Sequence, residues 1–494
     1  MSRAQNIARF PSYEEVESHI ASDQGGVGWV QKELRNSALP DKRLDKRMKL
    51  TAEAFARSPV SAIPEACRNW GQTKGAYRLF ANKRVEPAAI LAPHIGETVE
   101  RMKKHDIVLA VQDTVFISYS HPKTTGIGPI GKSDSEKGRG LVMHHTLTFS
   151  TSGLPLGVLT QKIWARDEVP EETKAEKSKR VQSTPIEEKE SWKWLEAAQQ
   201  TAERAPKGTK VVTVCDRESD LYEFIADQKE RDGSFVIRAR HDRKLVPEDS
   251  EGFASIMEAI SQAPSRGTTT VEIRGNGSRI SRVATVEIRF VEVTIKPPNK
   301  IGGAKASAII EPIAVRVVSA TEVDPPAGQK SISWVLLTSE PVRTFGDAAE
   351  KVDWYRLRWG IEVYHKVMKS GCKVEECRLE KGERLARFIA LTSIIAFRLM
   401  HMTYVARVAP DSPCTEILSS DEIEALSVRS QSLEKAKGKV LTTREAVREI
   451  AKLGGFLARK SDGEPGIITL NRGLQRLNED VAMLRAFKAR SGSE

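Results

Sequence analysis

The first part of the chain carries apolar residues at helical spacing. This pattern predicts helices over residues 41–57 and 73–81, and we expect Tyr77 and Phe80 to face inward on the second. The first helix should end before Pro59, because the residue before a proline disfavours the α conformation. The N-terminal region is therefore predicted to be helical.

The apolar pattern changes after residue 106. Short apolar runs predict several strands, and a strand–helix–strand order then indicates an α/β domain. Residues 268–323 alternate in the manner of antiparallel strands, with Asn276-Gly277 as a hairpin turn, and this block is predicted to be an insertion. Helical spacing returns from residue 347 to the end. The charged residues 167–190 are predicted to be a solvated loop.

Composition adds a partner class to this outline. The 494 residues contain 77 Lys and Arg against 66 Asp and Glu, and a net charge of +11 favours a polyanionic partner such as nucleic acid. No run of 18 apolar residues occurs, which predicts no membrane-spanning helix and no membrane partner. The N-terminus lacks the apolar core of a secretory signal, and five scattered Cys make no disulfide framework. We expect a cytoplasmic protein.

Basic residues are paired along the first predicted helix. Lys42 and Lys46 are four residues apart, as are Arg43 and Arg47, so each pair lies on one side of the helix. Two interpretations remain open. The pairs could contact DNA, or they could form an ordinary solvated surface.

Three acidic residues stand where a carboxylate is unusual. Asp113 lies inside an apolar strand, and Asp216 ends another. Isolated carboxylates on buried strands are costly unless they bind a metal or are paired. Glu362 lies in a helical run with Tyr355 and Arg358, and Lys369 follows at a spacing that keeps all four on one face.

This set of side chains suits a metal–phosphate site. The carboxylates could hold two Mg²⁺ ions for in-line phosphoryl displacement, while the cationic side chains hold phosphate oxygens. On spacing alone, Tyr355, Arg358, Glu362 and Lys369 could equally be surface ion-pair positions of a helix.

The motifs resemble those of bacterial DDE transposases of the insertion-sequence-four group. The helical run matches the signature Tyr-x2-Arg-x3-Glu-x6-Lys of this family. Further shared stretches stand in the same order: GAYR at 75–78, QDT at 112–114, CDRESD at 215–220, RxxHxRK at 238–244, WVLLTSEP at 334–341 and KLGGF at 452–456. The resemblance covers residues 35–488.

The resemblance implies an RNase H-like catalytic domain, a mixed sheet flanked by helices, in an α/β fold. Four regions are expected: a helical domain that binds DNA ends, the catalytic domain in two parts, an antiparallel β insertion, and a helical C-terminal domain for dimerisation. Their bounds are predicted as 1–90, 95–245 with 331–400, 246–330 and 401–494.

The resemblance also implies roles for individual residues. Asp113, Asp216 and Glu362 would hold two Mg²⁺ ions, for which Mn²⁺ would substitute. The residues expected to contact DNA are Tyr355, Arg358, Lys369, Trp334, Arg238, His365 and Lys366, with Lys42, Arg43, Lys46 and Arg47 at the N-terminus. Trp334 would stack on a flipped base, although a Trp on a strand is ordinarily a core residue.

The expected function is cut-and-paste DNA transposition. Element-end DNA would be nicked, converted to a hairpin, reopened and joined to target DNA by a homodimer. The alternatives are a non-catalytic DNA-binding regulator derived from a transposase, and a stand-alone RNase H-like nuclease.

Two other motifs point to different cofactors. The stretch GIGPIGKS at 126–133 fits a P-loop, but a strand rather than a helix is predicted after it, so no nucleotide cofactor is expected. Cys372 and Cys377 near His365 hint at zinc, but their spacing is at the edge of known pairs and no second pair exists.

Overall fold

The computed structural model describes residues 28–131, 138–168, 172–273, 281–298, 311–429, 441–459 and 461–491. The helical N-terminal region precedes the sheet, as expected. Its helices are α1 (Trp29–Glu33), α2 (Lys42–Arg57), α3 (Ile63–Cys67), α4 (Trp70–Ala81) and α5 (Pro87–Met102). Asp41 caps the first turn of α2 by accepting a hydrogen bond from the Arg43 amide.

A ten-stranded sheet occupies the centre of the molecule. Its strands are β1 (Ile107–Ser118), β2 (Gly128–Pro129), β3 (Arg139–Ser150), β4 (Pro155–Trp164), β5 (Lys210–Cys215), β6 (Ser234–Arg238), β7 (Ser265–Ile273), β8 (Arg282–Ile295), β9 (Ile313–Glu322) and β10 (Ser333–Thr338). The order across the sheet is β2-β3-β1-β5-β6-β10-β9-β8-β7, and β4 also pairs with β3.

One half of this sheet has the RNase H-like arrangement. Strands β4, β3 and β1 are antiparallel neighbours, whereas β1, β5 and β6 run parallel. The helices α7 (Trp192–Arg204) and α8 (Tyr222–Glu230) connect the parallel strands. Because β1 and β5 are parallel neighbours, the segments that follow their buried centres meet at one edge of the sheet. The α/β fold class is confirmed.

The expected antiparallel insertion continues the same sheet. After α9 (Ile256–Gln262), β7, β8 and β9 pair antiparallel, and β9 pairs with β10, which in turn pairs with β6. The insertion therefore extends the RNase H-like half of the sheet instead of standing apart from it. The proposed hairpin turn at Asn276-Gly277 lies outside the described residues.

Two local predictions were wrong. Residues 174–183 form helix α6 within the expected loop, begun by a capping box between Thr173 and Glu176. Tyr77 is exposed on α4, whereas Phe80 is buried as predicted. Only one face of this helix is buried. Residues three positions apart can both lie on that face or straddle its border, so the spacing did not predict that Tyr77 would be exposed.

The C-terminal half is helical, as predicted. It contains α10 (Phe345–Leu357), α11 (Trp359–Lys366), a π-helical turn (Val367–Gly371), α12 (Gly382–Val408), α13 (Ser420–Arg429), α14 (Thr443–Leu453) and α15 (Ile467–Ser491). Helix α14 packs against both α12 and α15.

Helix α12 corrects the expectation that no segment could span a membrane. It is the one helix among the described residues that is long and apolar enough to do so, with a mean hydropathy of 1.5 over its 18-residue window. In the fold, 89% of that window is buried against the rest of the protein. The sequence did not predict this segment because isolated polar residues divide it into short apolar runs. Its neighbours make it the central core helix.

Candidate active site

Two of the three predicted acids belong to neighbouring parallel strands, Asp113 within β1 and Asp216 directly after the end of β5. Val111 on β1 pairs with Val214 on β5, so Asp113 and Asp216 both stand two residues beyond this pair. The Thr114 amide donates a hydrogen bond to Asp113 Oδ1 at 2.8 Å, and Asp216 accepts one from the Glu218 amide at 2.8 Å. These bonds fix both carboxylates at the same edge of the sheet.

Glu362 reaches this edge from a helix that is interrupted beside it. Helix α10 ends at Leu357, and Arg358 separates it from α11, which carries Glu362. The predicted helical face of four residues is therefore divided between α10, α11 and the π-helical turn. Arg358 contacts two of the acids: one guanidinium nitrogen lies 2.5 Å from Glu362 Oε1 and the other 3.5 Å from Asp113 Oδ2.

Burial has the largest effect on the electrostatics of this acidic cluster (Asp113, Asp216 and Glu362), and neighbouring charges modify that effect. Burial raises the pKa of Asp113 to about 7; Arg358 opposes this, and the charges of Asp216 and Glu362 add to it. Burial alone would lower the pKa of the Arg358 guanidinium, but Tyr355, Asp113 and Glu362 raise it above its usual value. The charges of both other acids thus affect the pKa of Asp113, and the Arg358 guanidinium remains positively charged.

An aromatic and basic group borders the acidic cluster. The rings of Trp334 and Tyr355 meet edge to face, with their centroids 5.2 Å apart. Arg238 interacts with the Tyr355 hydroxyl and donates a hydrogen bond to the Ser333 carbonyl at 2.9 Å. Trp334 is partly buried. Its ring therefore packs against the protein on one side and leaves part of its surface open for stacking.

The remaining predicted residues of the signature helix separate into exposed and buried positions. Lys366 is exposed, and Lys369 Nζ lies 3.1 Å from Glu375 Oε1. Glu375 also accepts a hydrogen bond from the Ser118 amide at 2.8 Å. His365 is only 7% exposed, and its Nε2 lies 3.3 Å from His145 Nδ1.

The N-terminal basic residues lie on the surface of α2. Lys42, Arg43 and Lys46 are exposed. Arg47 is partly buried instead, and its guanidinium crosses α4 to the Gly71 carbonyl at 3.4 Å. A Cβ at Gly75 would collide with this guanidinium, so part of Arg47's role is packing between the two helices.

Carboxylate oxygens suit a divalent cation at the acidic cluster. Three such side chains offer the hard oxygen ligands that Mg²⁺ prefers. A cation would offset both the burial and the smaller repulsion by Asp216 and Glu362 that raise the pKa of Asp113. Within the described parts of the chain, no three acidic, His or Cys side chains already converge as a formed metal cluster. Arg358 lies between two of the acids and serves as their counter-ion.

The two competing motifs gain no support from the fold. Gly128 and Pro129 form strand β2 within the would-be P-loop, and Lys132 and Ser133 lie outside the described residues. Burial raises the pKa of Cys377 to about 12, which favours the thiol over the thiolate that binds zinc.

The sequence offered no signal for three of these contacts. Glu375 lies six residues beyond Lys369 and His145 lies 220 residues before His365, and neither partner belongs to a motif. The sharing of Arg358 by two acids also depends on folding, since Asp113 lies about half the chain away. A search for acidic and His residues opposite the signature in the paired strands could have found these partners.

Comparison with protein families identifies the class to which this arrangement belongs. Residues 27–85 match the transposase DNA-binding family, residues 191–398 match the transposase DDE domain, and residues 394–494 match the transposase Tn5 dimerisation domain. The three matches follow one another along the chain and cover most of it.

The chain belongs to the DDE transposases. It is a DNA transposase that resembles the Tn5 transposase, with a DNA-binding region, a catalytic domain that cleaves and transfers DNA strands, and a dimerisation region. The resemblance inferred from the motifs is thereby confirmed. The domain boundaries given above remain predictions.

Proposed function

We propose that this transposase moves DNA by a Mg²⁺-dependent cut-and-paste reaction at the acidic cluster. The observation that carries the proposal is the meeting of Asp113 and Glu362 at Arg358, next to Asp216 on the neighbouring strand. Residues from two strands and a helix converge there on one partly buried edge of the sheet.

Asp113, Asp216 and Glu362 would hold two Mg²⁺ ions, and Mn²⁺ would substitute. When bound, these cations lower the pKa of the attacking hydroxyl and stabilise the leaving oxygen. Arg358 would exchange its carboxylate partners for a DNA phosphate, because its planar guanidinium fits either group with two hydrogen bonds.

The side chains around the acidic cluster would hold the DNA end. Lys369 would leave Glu375 to contact a backbone phosphate beside Arg358. Tyr355 is only 5% exposed, so it would contact a phosphate only after DNA binding uncovers its hydroxyl. Arg238 and Lys366 would add positive charge at the rim. His365 would act from the interior, since its burial keeps it from direct contact with DNA in this conformation.

The proposed reaction comprises successive in-line displacements on phosphorus. Water first frees a 3′-OH by attacking a phosphodiester. That 3′-OH then attacks the opposite strand and forms a hairpin, which is reopened before the freed end attacks target DNA. Trp334 would support the base that is flipped out in the hairpin, because its ring is partly exposed beside Tyr355.

End recognition and pairing would use the two terminal regions. Lys42, Arg43 and Lys46 offer exposed positive charge on α2 for the phosphates of element ends, with Arg47 holding α2 against α4. The C-terminal helices would join two subunits in the synaptic complex. We propose a cytoplasmic protein, associated with the nucleoid when bound, that needs no nucleotide cofactor.

The test is cleavage of a supercoiled plasmid that carries the gene's own flanking ends. Wild type and Asp216→Ala are compared in Mg²⁺ and in EDTA, with a plasmid lacking the ends as the control. We expect wild type to excise the element in Mg²⁺ but not in EDTA, and we expect Asp216→Ala to excise it in neither.

Each other outcome selects an alternative. End binding without cleavage by wild type would indicate the non-catalytic regulator. Mg²⁺-dependent cleavage without joining of the freed ends to target DNA would indicate the stand-alone nuclease. Equal cleavage by wild type and Asp216→Ala would overturn the proposed site.

A further inference from the structure

Two buried histidines lie behind the acidic cluster, one on the sheet and one on the helix that carries Glu362. His145 on β3 pairs in register with Asp113 on β1. His365 follows Glu362 by three residues on α11. A 3.3 Å contact joins His145 Nδ1 to His365 Nε2.

The neighbours of this pair fix the direction of its hydrogen bond. The Gln161 amide nitrogen lies 2.7 Å from His145 Nε2 and 2.7 Å from Ser393 Oγ. An amide NH₂ donates, so His145 Nε2 accepts and its Nδ1 carries the proton that is donated to His365 Nε2. Burial lowers the pKa of both histidines, that of His365 to about 3 with Lys369 and Arg358 adding to the effect, so both rings are neutral.

Helix α11 needs such an anchor because it is short and interrupted at both ends. It has eight residues, begins where the helix breaks at Arg358, and passes into the π-helical turn. The Tyr364 hydroxyl donates a hydrogen bond to the Ser393 carbonyl on α12 at 3.0 Å, which holds α11 to the core. The His145–His365 bond holds it to the strand opposite Asp113.

We propose that the His145–His365 hydrogen bond is a positioning contact that holds Glu362 level with Asp113 for cation binding. This inference rests on the proposed role of Glu362 as a cation ligand. His145 and His365 act through Glu362 and are positioning residues. Partners that are hydrogen-bonded directly to a metal ligand change metal affinity by about 10- to 100-fold when they are removed, and a contact that acts through the helix should lie at the lower end of this range.

Two substitutions at one position separate the hydrogen bond from simple packing. His365→Leu fills much of the space but removes the acceptor, whereas His365→Gln places an acceptor oxygen near the position of Nε2. His401→Leu is the matched control. His401 is a histidine of α12 that contacts the Pro155 carbonyl at 3.0 Å, six residues from Gln161 along β4.

The readouts are made on the full-length protein with element-end DNA. Electron paramagnetic resonance gives the affinity for Mn²⁺, plasmid cleavage gives the Mg²⁺ concentration for half-maximal rate, and gel shift in EDTA gives DNA affinity. We expect His365→Leu to weaken Mn²⁺ binding about 10-fold and to raise the half-maximal Mg²⁺ concentration similarly. His365→Gln and His401→Leu should stay within about twofold of wild type, and DNA affinity should be unchanged in all three.

Including Asp216→Ala distinguishes failure of this inference from failure of the proposed function. If Asp216→Ala binds Mn²⁺ and cleaves like wild type, the proposed function itself is wrong. If Asp216→Ala loses both and His365→Leu keeps wild-type Mn²⁺ affinity, only the positioning role is wrong. Should His365→Leu fail to unfold cooperatively, His145→Leu and His145→Asn repeat the test from the strand, since Asn retains a donor near Nδ1.

Discussion

Two of the clusters in which the described residues bury charge differ in whether that charge is balanced. In the N-terminal cluster, Glu33 on α1 contacts His94 at 2.5 Å and Arg101 at 2.9 Å, both on α5. The Val158 amide of β4 donates to His94 Nε2 at 2.9 Å. Although burial alone raises the pKa of Glu33, Arg101 and His94 hold it well below its usual value.

The acidic cluster is arranged in the opposite way. Arg358 contacts Asp113 and Glu362, Asp216 follows the strand next to that of Asp113, and burial raises the pKa of Asp113 to about 7. In the N-terminal cluster one carboxylate faces one guanidinium and a histidine that burial keeps neutral. Balanced charge of this kind holds α1 to the sheet, whereas unbalanced charge marks a site that is completed by a ligand.

The largest expected effect is on catalysis at the unbalanced cluster. Asp113→Asn should reduce cleavage by about three orders of magnitude, because it removes a proposed ligand of the cations. Its free energy of unfolding in urea should stay unchanged or rise by about 1 kcal/mol, since a buried carboxylate among like charges is costly. A loss of stability above about 2 kcal/mol would place Asp113 with the structural charges.

The N-terminal cluster should respond in the reverse sense. Glu33→Gln should lower the free energy of unfolding by about 2 kcal/mol, because the partly buried Arg101 and the buried His94 both lose their carboxylate partner. The folded-state pKa of Glu33 is depressed, so its stabilising effect is present above the usual carboxyl range and is lost as the pH falls toward the folded value. The difference from wild type should therefore stay constant from pH 7 to about pH 5 and shrink as the pH falls below 4.5, the ordinary pKa of the carboxyl.

Glu97→Gln is the matched control for this measurement. Glu97 pairs at 2.8 Å with Arg35, which is 53% exposed, so its loss should cost less than about 1 kcal/mol. Equal effects of Glu33→Gln and Glu97→Gln would show that the exposure of the arginine partner makes no difference to the loss of stability.

A smaller effect is expected at the rim of the acidic cluster. Trp334→Ala should slow hairpin formation about 10-fold more than first-strand nicking, because stacking on a flipped base is worth about 1–3 kcal/mol. Strand-specific end labels on denaturing gels resolve the two steps. Equal slowing of both would show that Trp334 only packs against Tyr355.

The smallest expected effect concerns a third buried charge, outside both clusters. Burial raises the pKa of Glu416 to about 7 despite Ser412 and Lys104, so wild type should lose stability as the pH rises from about 4.5 through 7. Glu416→Gln removes this loss and should be about 1–2 kcal/mol more stable than wild type at pH 8, but nearly equal at pH 5. Denaturation curves at both pH values test this, and Glu376→Gln, at a residue that is 67% exposed, is the control.

Local patterns predicted most elements because each depends on neighbours in the chain. The expected helix at 41–57 is α2, and the strand ending at Asp216 is β5. The helix at 174–183 was missed because its charged composition resembles a loop, although the Thr173 and Glu176 capping box was a readable signal. Composition alone therefore misses a helix whose stability begins at its cap.

Long-range features could not be read in this way. The sequence does not show that β9 joins β10, nor that Arg358 lies between Asp113 and Glu362, because both depend on segments far apart in the chain. The balance of Glu33 by Arg101 is likewise a product of folding. Motif order could predict the three acids, but not their present counter-ion.

The most direct test of the central claim is a change of metal preference at one proposed ligand. Asp216→Cys replaces an oxygen ligand by a softer sulfur, which Mn²⁺ tolerates better than Mg²⁺. We predict that excision from the end-bearing plasmid by Asp216→Cys fails in Mg²⁺ and returns in Mn²⁺, whereas Asp216→Ala fails in both. Excision by Asp216→Ala at the wild-type rate in either metal would contradict the assignment of the acidic cluster as the catalytic centre.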